Sequence, residues 1–153
     1  MYKYTLLLLA FGLFLTNCKD DLSPAEQLVK DRNELRKYAA DKGLQVDSTA
    51  SGIYYVHTVL GSGAAFPSAT SDVTVRYKGY FLNGEIFDQT DGTSTATFNL
   101  SQLIAGWREG IRLMKKGGKT TMLIPSGLAY GTEGQGSIPG NTPLAFDIEL
   151  VNF

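Results

Sequence analysis

The sequence predicts an α+β fold in which an antiparallel sheet wraps around one short helix late in the chain, with a separate spacer helix in front. Three observations predict it. Val73-Thr-Val-Arg-Tyr-Lys78 and Leu144-Ala-Phe-Asp-Ile-Glu-Leu150 alternate apolar with polar residues, the period of a strand with one buried face. Asn83-Gly84 is the strongest short hairpin signal, turning Gly79–Leu82 back into Glu85–Asp88. Within residues 100–114, Leu103, Trp107, Ile111 and Met114 recur at helical spacing. Closing the sheet around that stripe buries both apolar sets together.

The N-terminal residues 1–17 read as a signal peptide. Tyr4 to Thr16 is almost continuously apolar, too short to span a bilayer at about 20 residues but suited to a signal core. Leu15-Thr-Asn-Cys18 resembles the bacterial lipobox, with Asn17 where a small residue is usual, which makes Cys18 the expected lipid-attachment residue. Residues 18–43 then form a lipid-anchored linker. Ser23-Pro-Ala-Glu26 is a capping box, and the helix it starts should run to about Asp41 before Gly43. Its apolar positions (Leu28, Val29, Leu35, Tyr38) are sparse, so it reads as a mostly solvated spacer.

Residues 44–153 carry the strand signals. Ile53–Leu60 is β-branched and aromatic, Lys119–Ile124 is a strand closed by Pro125, and Gly127–Thr142 is glycine-rich and irregular. Asp91 to Thr97 reads as a Ser/Thr-rich loop. Gly106 and Gly110 would each weaken the central helix by about 1 kcal/mol relative to alanine, which implies close approach of another backbone or a ligand. Lys115, Lys116 and Gly117-Gly118 suit its C-terminal end.

Several functions are disfavoured. With 14 basic and 15 acidic residues in 153 and no basic run longer than two, the chain has no nucleic-acid footprint. The lone Cys18 allows no internal disulfide. Gly118-Lys-Thr120 echoes a phosphate loop, but Leu113 stands where its first glycine belongs. His57 is mid-strand, with no nucleophile placed by any motif, and the carboxylates show no metal-ligand spacing.

Five segments occur in the order found in the FKBP peptidyl-prolyl isomerases: Val75-Arg-Tyr-Lys-Gly79, Gly84-Glu-Ile-Phe-Asp88, Leu103-Ile-Ala-Gly-Trp-Arg-Glu-Gly110, Leu128-Ala-Tyr-Gly131, and Ile138-Pro139 with Leu144–Leu150. Over about residues 52 to 153 the chain resembles that family. The resemblance implies a bent five- or six-stranded antiparallel sheet clasping a helix that starts near Ala105, and a prolyl isomerase that needs neither cofactor nor metal. It implies Tyr77, Phe87, Trp107 and Phe146 as walls and floor around a substrate proline, helped by Leu103, Ile104 and Ile138. The Tyr130 hydroxyl and Ile104 N–H would donate to substrate carbonyls, and Asp88 would orient the site through a neighbouring hydroxyl. Its partners would be proline-containing polypeptides and macrolide inhibitors, with the membrane reached through lipidated Cys18, as a monomer outside the cytoplasm. Ala96 departs from the family, which often has an aromatic there, and the Tyr130-to-Ile138 loop leaves no room for an inserted chaperone flap. Two other classes fit the same residues: a non-catalytic proline-peptide-binding module, and a scaffold on a lipoprotein anchor.

Overall fold

A computed structural model describes residues 22–153 of the chain; the expected signal segment, Cys18 and Lys19–Asp21 lie outside the described residues. The first element, α1 (Pro24–Asp41), begins as its capping box dictates. The Ser23 hydroxyl accepts the Glu26 N–H, and the Glu26 carboxylate accepts the Ser23 N–H at 2.9 Å. Gly43, at φ +66°, lets the chain turn away. In chain order the strands are β1 (Asp47–Ser48), β2 (Tyr54–Val59), β3 (Asp72–Phe81), β4 (Ile86–Gln89), β5 (Ala96–Asn99), β6 (Lys119–Ile124) and β7 (Leu144–Asn152), with α2 (Ala105–Gly110) between β5 and β6.

The strands form one antiparallel sheet in the order β1-β2-β6-β7-β3-β4, and β5 pairs with β3 beside β4. Seven strands replace the expected five or six because the two-residue β1 caps β2 and because the Ser/Thr-rich stretch ends in β5 rather than running as loop to the helix. The hairpin after β3 also differs in detail. Phe81 and Glu85 close a three-residue loop in which Gly84 alone has positive φ, a wider turn than a two-residue Asn-Gly hairpin.

One face of the sheet packs on α2. Val73, Val75, Met122, Ile124, Leu144, Phe146, Ile148 and Leu150 meet Trp107, Ile111 and Met114 there, all of them buried. The helix itself is shorter than its apolar period predicts. A 3₁₀ turn over Leu100–Gln102 is followed by extended Leu103 and Ile104, so α2 starts at Ala105 and passes into a second 3₁₀ turn at Ile111. Gly106 and Gly110 are explained by the close approach of β6 side chains. A Cβ on Gly106 would stand 2.5 Å from Ile124 Cγ2, and one on Gly110 would collide with Met122 Sδ. Gly106→Ala is therefore expected to lower stability by about 1–3 kcal/mol despite its better helix propensity, read as a lower urea midpoint at unchanged slope.

The opposite face corrects the picture of α1 as a solvated spacer. Leu35 and Ala39 pack on Tyr54, Leu123 and Ala145, with Tyr38, Leu44, Tyr80 and Leu82 around them. The buried stripe of α1 is Gln27, Asp31, Leu35 and Ala39, whereas Val29 is 61% exposed. The rest of that face is polar. Arg76–Glu149 (3.2 Å), Lys78–Asp147 (3.1 Å) and Lys119–Glu149 (3.5 Å) link neighbouring strands there, and the open depression above them is a solvated ion-pair lattice.

Candidate functional site

A cleft of about 280 Å³ opens where α2 meets the inner face of β3, β4, β5 and β7. Its lining is Tyr77, Phe87, Asp88, Phe98, Gln102, Leu103, Ile104, Trp107, Tyr130 and Phe146. Trp107 forms the floor at 5% exposure. Tyr77, Phe98 and Phe146 stand edge-on to it, with ring centroids 5.2, 6.1 and 5.4 Å away and interplanar angles of 82–86°. Such edge-to-face pairs set each positive ring edge against a negative face and fix the walls relative to one another. The indole Nε1–H is buried without an acceptor among the described residues.

The sheet register puts the walls in place. Tyr77 faces Ile148, and Gly79 sits across from both Phe146 and Asp88. Gly79 has no side chain to occupy the cleft wall: a Cβ there would lie 2.7 Å from the Phe87 ring and 2.8 Å from Phe146. Room for two aromatic rings is thus made by one glycine. On the polar rim the Tyr77 hydroxyl donates to Asp88 Oδ2 at 2.6 Å. The extended backbone at Ile104 leaves its N–H with no protein acceptor among the described residues, while its carbonyl accepts from Trp107 and Arg108 of α2 at 3.0 and 3.1 Å. Tyr130 comes from the turn after β6, where Gly131 at φ +61° folds back so that its N–H donates to the Ser126 carbonyl at 2.9 Å.

The phenols of Tyr77 and Tyr130 are both held above their ordinary range, which favours the protonated, donating form. Tyr77 is pushed up by burial first, then by its hydrogen bond to Asp88 and that residue's charge, and Tyr130 is pushed up by burial and then by Asp88. Tyr80, on the other face, is raised by burial and by the Asp147 charge. A folded-state phenol raised above its unfolded value adds stability that is present below about pH 10 and is lost as pH climbs beyond it. The urea midpoint should hold between about pH 7 and 9 and fall above about pH 10, less steeply in Tyr77→Phe.

Of the residues expected at the site, Tyr77, Phe87, Asp88, Leu103, Ile104, Trp107, Tyr130 and Phe146 converge on this cleft. Ile138, 7% exposed, packs in the same core cluster as Trp107 and Phe146 and does not line the cleft as it stands in this structure. Phe98, Gln102 and Gly79 belong to the site's geometry and were not expected there. Phe98 could have been found by treating Ala96–Asn99 as a strand: it pairs with inward-facing Val73 and so must point inward too. Among the described residues no group of His, Cys, Asp and Glu could hold a metal ion.

Fold and cleft together define a class: a helix-clasping antiparallel sheet that offers one small aromatic pocket with hydrogen-bond donors on its rim. The family model described as FKBP-type peptidyl-prolyl cis-trans isomerase matches residues 63–151. The FKBP-type peptidyl-prolyl cis-trans isomerase FkpA of Aeromonas hydrophila is 44% identical over 138 residues, which cover 90% of this chain and 50% of that protein. Among solved structures, FkpA from Escherichia coli superposes with a TM-score of 0.72 at 37% identity, covering 84% of this chain and 59% of that one. A peptidyl-prolyl cis-trans isomerase from Pseudomonas syringae pv. tomato gives the same TM-score and identity, covering 86% of this chain and 96% of that one. The chain belongs to the FKBP-type peptidyl-prolyl cis-trans isomerase family. It spans about half the length of the curated relatives it matches.

Proposed function

We propose that this chain accelerates cis/trans isomerisation of X-Pro bonds in exported polypeptides. The observation that carries this reading is the cleft itself, an aromatic pocket floored by Trp107 with the Ile104 N–H and Tyr130 at its rim and no nucleophile built into it. Rotation about X-Pro meets a barrier of about 18–20 kcal/mol set by amide resonance, and each 1.36 kcal/mol removed is about tenfold in rate. The twisted amide has lost that resonance and part of its charge separation. A pocket that strips water from the imide carbonyl favours the twisted form over the planar one, and donors held in place fix the flanking peptide without reorganising. At about 280 Å³ the cleft suits one proline ring and its neighbouring carbonyls. Asp88 keeps the Tyr77 hydroxyl engaged, so Tyr130 is the hydroxyl left to donate.

The site of action we propose is outside the cytoplasm, with a lipid on Cys18 holding a monomer to a membrane and the domain facing exported proteins, whose folding X-Pro isomerisation can limit. The apolar Tyr4–Thr16 core, followed after Asn17 by the lone Cys18, supports this placement. Macrolide inhibitors are expected to compete with peptide for the same aromatic pocket. The deciding experiment is NMR exchange spectroscopy of a short X-Pro peptide with and without the chain, beside Tyr130→Phe. Faster exchange, reduced severalfold in the variant, supports catalysis. A folded chain that quenches or shifts Trp107 fluorescence on binding the peptide, yet leaves its exchange rate unchanged, would make the protein a proline-peptide-binding module instead. Cys18→Ser should move the protein from the membrane to the soluble fraction if the anchor is as proposed.

A further inference from the structure

The most deeply buried carboxyl group described in the chain lies outside the cleft. Asp31, in the middle of α1, is 1% exposed. Among the described residues no lysine, arginine or histidine forms an ion pair with it; its oxygens are taken up by donors from two segments. Asp31 Oδ2 accepts the Ser126 N–H at 2.7 Å and the Ser126 hydroxyl at 2.6 Å, and Oδ1 accepts the Gln27 side-chain amide at 2.6 Å. A helix built only to cover the sheet would place an apolar residue here, because a buried carboxyl is costly unless every lone pair is used.

Ser126 is the root of the turn that carries Tyr130. The Ser126 carbonyl accepts the Ala129 N–H at 3.0 Å and the Gly131 N–H at 2.9 Å, so both neighbours of Tyr130 are tied to the residue that Asp31 grips. The far end of the loop is held as well. Asn141 donates its N–H to the Gly131 carbonyl at 2.7 Å, and the Gln27 amide reaches the Asn141 carbonyl at 3.5 Å. Asn141 is also the only non-glycine described at positive φ, 57°, a conformation that surrounding contacts must hold.

We propose that Asp31 is a positioning residue for the cleft: from the outer helix it fixes Ser126, and through Ser126 the turn that aims Tyr130. This rests on the reading of the cleft as a prolyl isomerase site, and assigns to α1 a part in it. The pair Gln27 and Asp31, one helical turn apart, makes the helix a brace for the loop and not only a cover for the sheet.

The test is a double-mutant cycle on the whole chain. Asp31→Asn should lower kcat/KM about fivefold with Tyr130 present and less than about twofold in the Tyr130→Phe background, since the two residues act through one contact. Equal losses in both backgrounds would mean a general effect on folding and overturn the proposal. Ser126→Ala, which keeps the backbone bond to Asp31, should show the same non-additivity more weakly, and it serves where Asp31→Asn does not fold. A second readout is independent of turnover. With ring-labelled tyrosine, the Tyr130 resonances, assigned by Tyr130→Phe, should shift in Asp31→Asn while those of Tyr77 stay in place; unmoved Tyr130 resonances would overturn the brace. If the wild-type chain catalyses nothing, the functional reading fails by that result, and the ring resonances still decide the brace.

Discussion

Trp107→Ala is expected to cost about 3–5 kcal/mol of stability and to reduce prolyl isomerisation at least tenfold. Both losses come from one geometry. The indole is the common surface for Tyr77, Phe98 and Phe146, so its removal leaves three rings without an edge-to-face partner and opens the floor of the pocket to water. Trp107→Phe should be far milder, within about 1.5 kcal/mol of wild type, because the buried Nε1–H it discards has no acceptor among the described residues to lose. Urea denaturation and NMR exchange on both variants check this. A folded Trp107→Ala protein with wild-type turnover would remove the indole from the proposed site.

A chain beginning at residue 44 is expected to be severely destabilised, although every residue of the cleft is still present. Without α1, Tyr54, Leu123 and Ala145 lose the cover of Leu35 and Ala39. Leu35→Ala alone should cost about 2–5 kcal/mol, from a domain total that is typically about 5–15. The truncated chain also leaves the Ser126 N–H and hydroxyl without the Asp31 carboxyl. Chemical denaturation of the two proteins side by side measures the difference; equal midpoints would show that the helix contributes nothing to the sheet it touches.

That prediction reverses what the sequence suggests, and the reason is physical. Periodicity reveals a helix face only when the face is apolar, and half of the α1 stripe is Gln27 and Asp31, whose burial is made tolerable by hydrogen bonds formed from distant parts of the chain. The sign of a covered outer face was in β6 instead. Met122-Leu123-Ile124 is a continuous apolar run, as in strands buried on both sides, and Leu123 is the residue that meets the helix. Strands β3 and β7 were legible because their alternation is local, and β6 because its apolar run stops at Pro125. β5 was not, since Ala96–Asn99 has too few apolar residues to stand out from the Ser/Thr-rich stretch before it and is a strand by virtue of its pairing with β3. Helix α2 was half legible: its apolar stripe is real, but the extended Leu103 and Ile104 that free a backbone N–H for the cleft break no pattern in the sequence. The convergence of eight expected residues on one cleft was readable only from the ordered motifs, because each aromatic alone is indistinguishable from core.

The two margins of the sheet bear on how this protein can coexist with the chains it is proposed to serve. Unfolded polypeptides add readily to any long, flat strand whose N–H and C=O groups are open. Here one margin carries only the two residues of β1, and beyond it β2 is irregular between His57 and Val59. The other is divided between β4 and β5, and the pairing of β4 shifts register beside Tyr80. Short, bent and interrupted borders of this kind are poor templates for β-augmentation. The proposed clients would thereby be steered away from co-aggregation with the folded protein, leaving capture to side chains in the cleft.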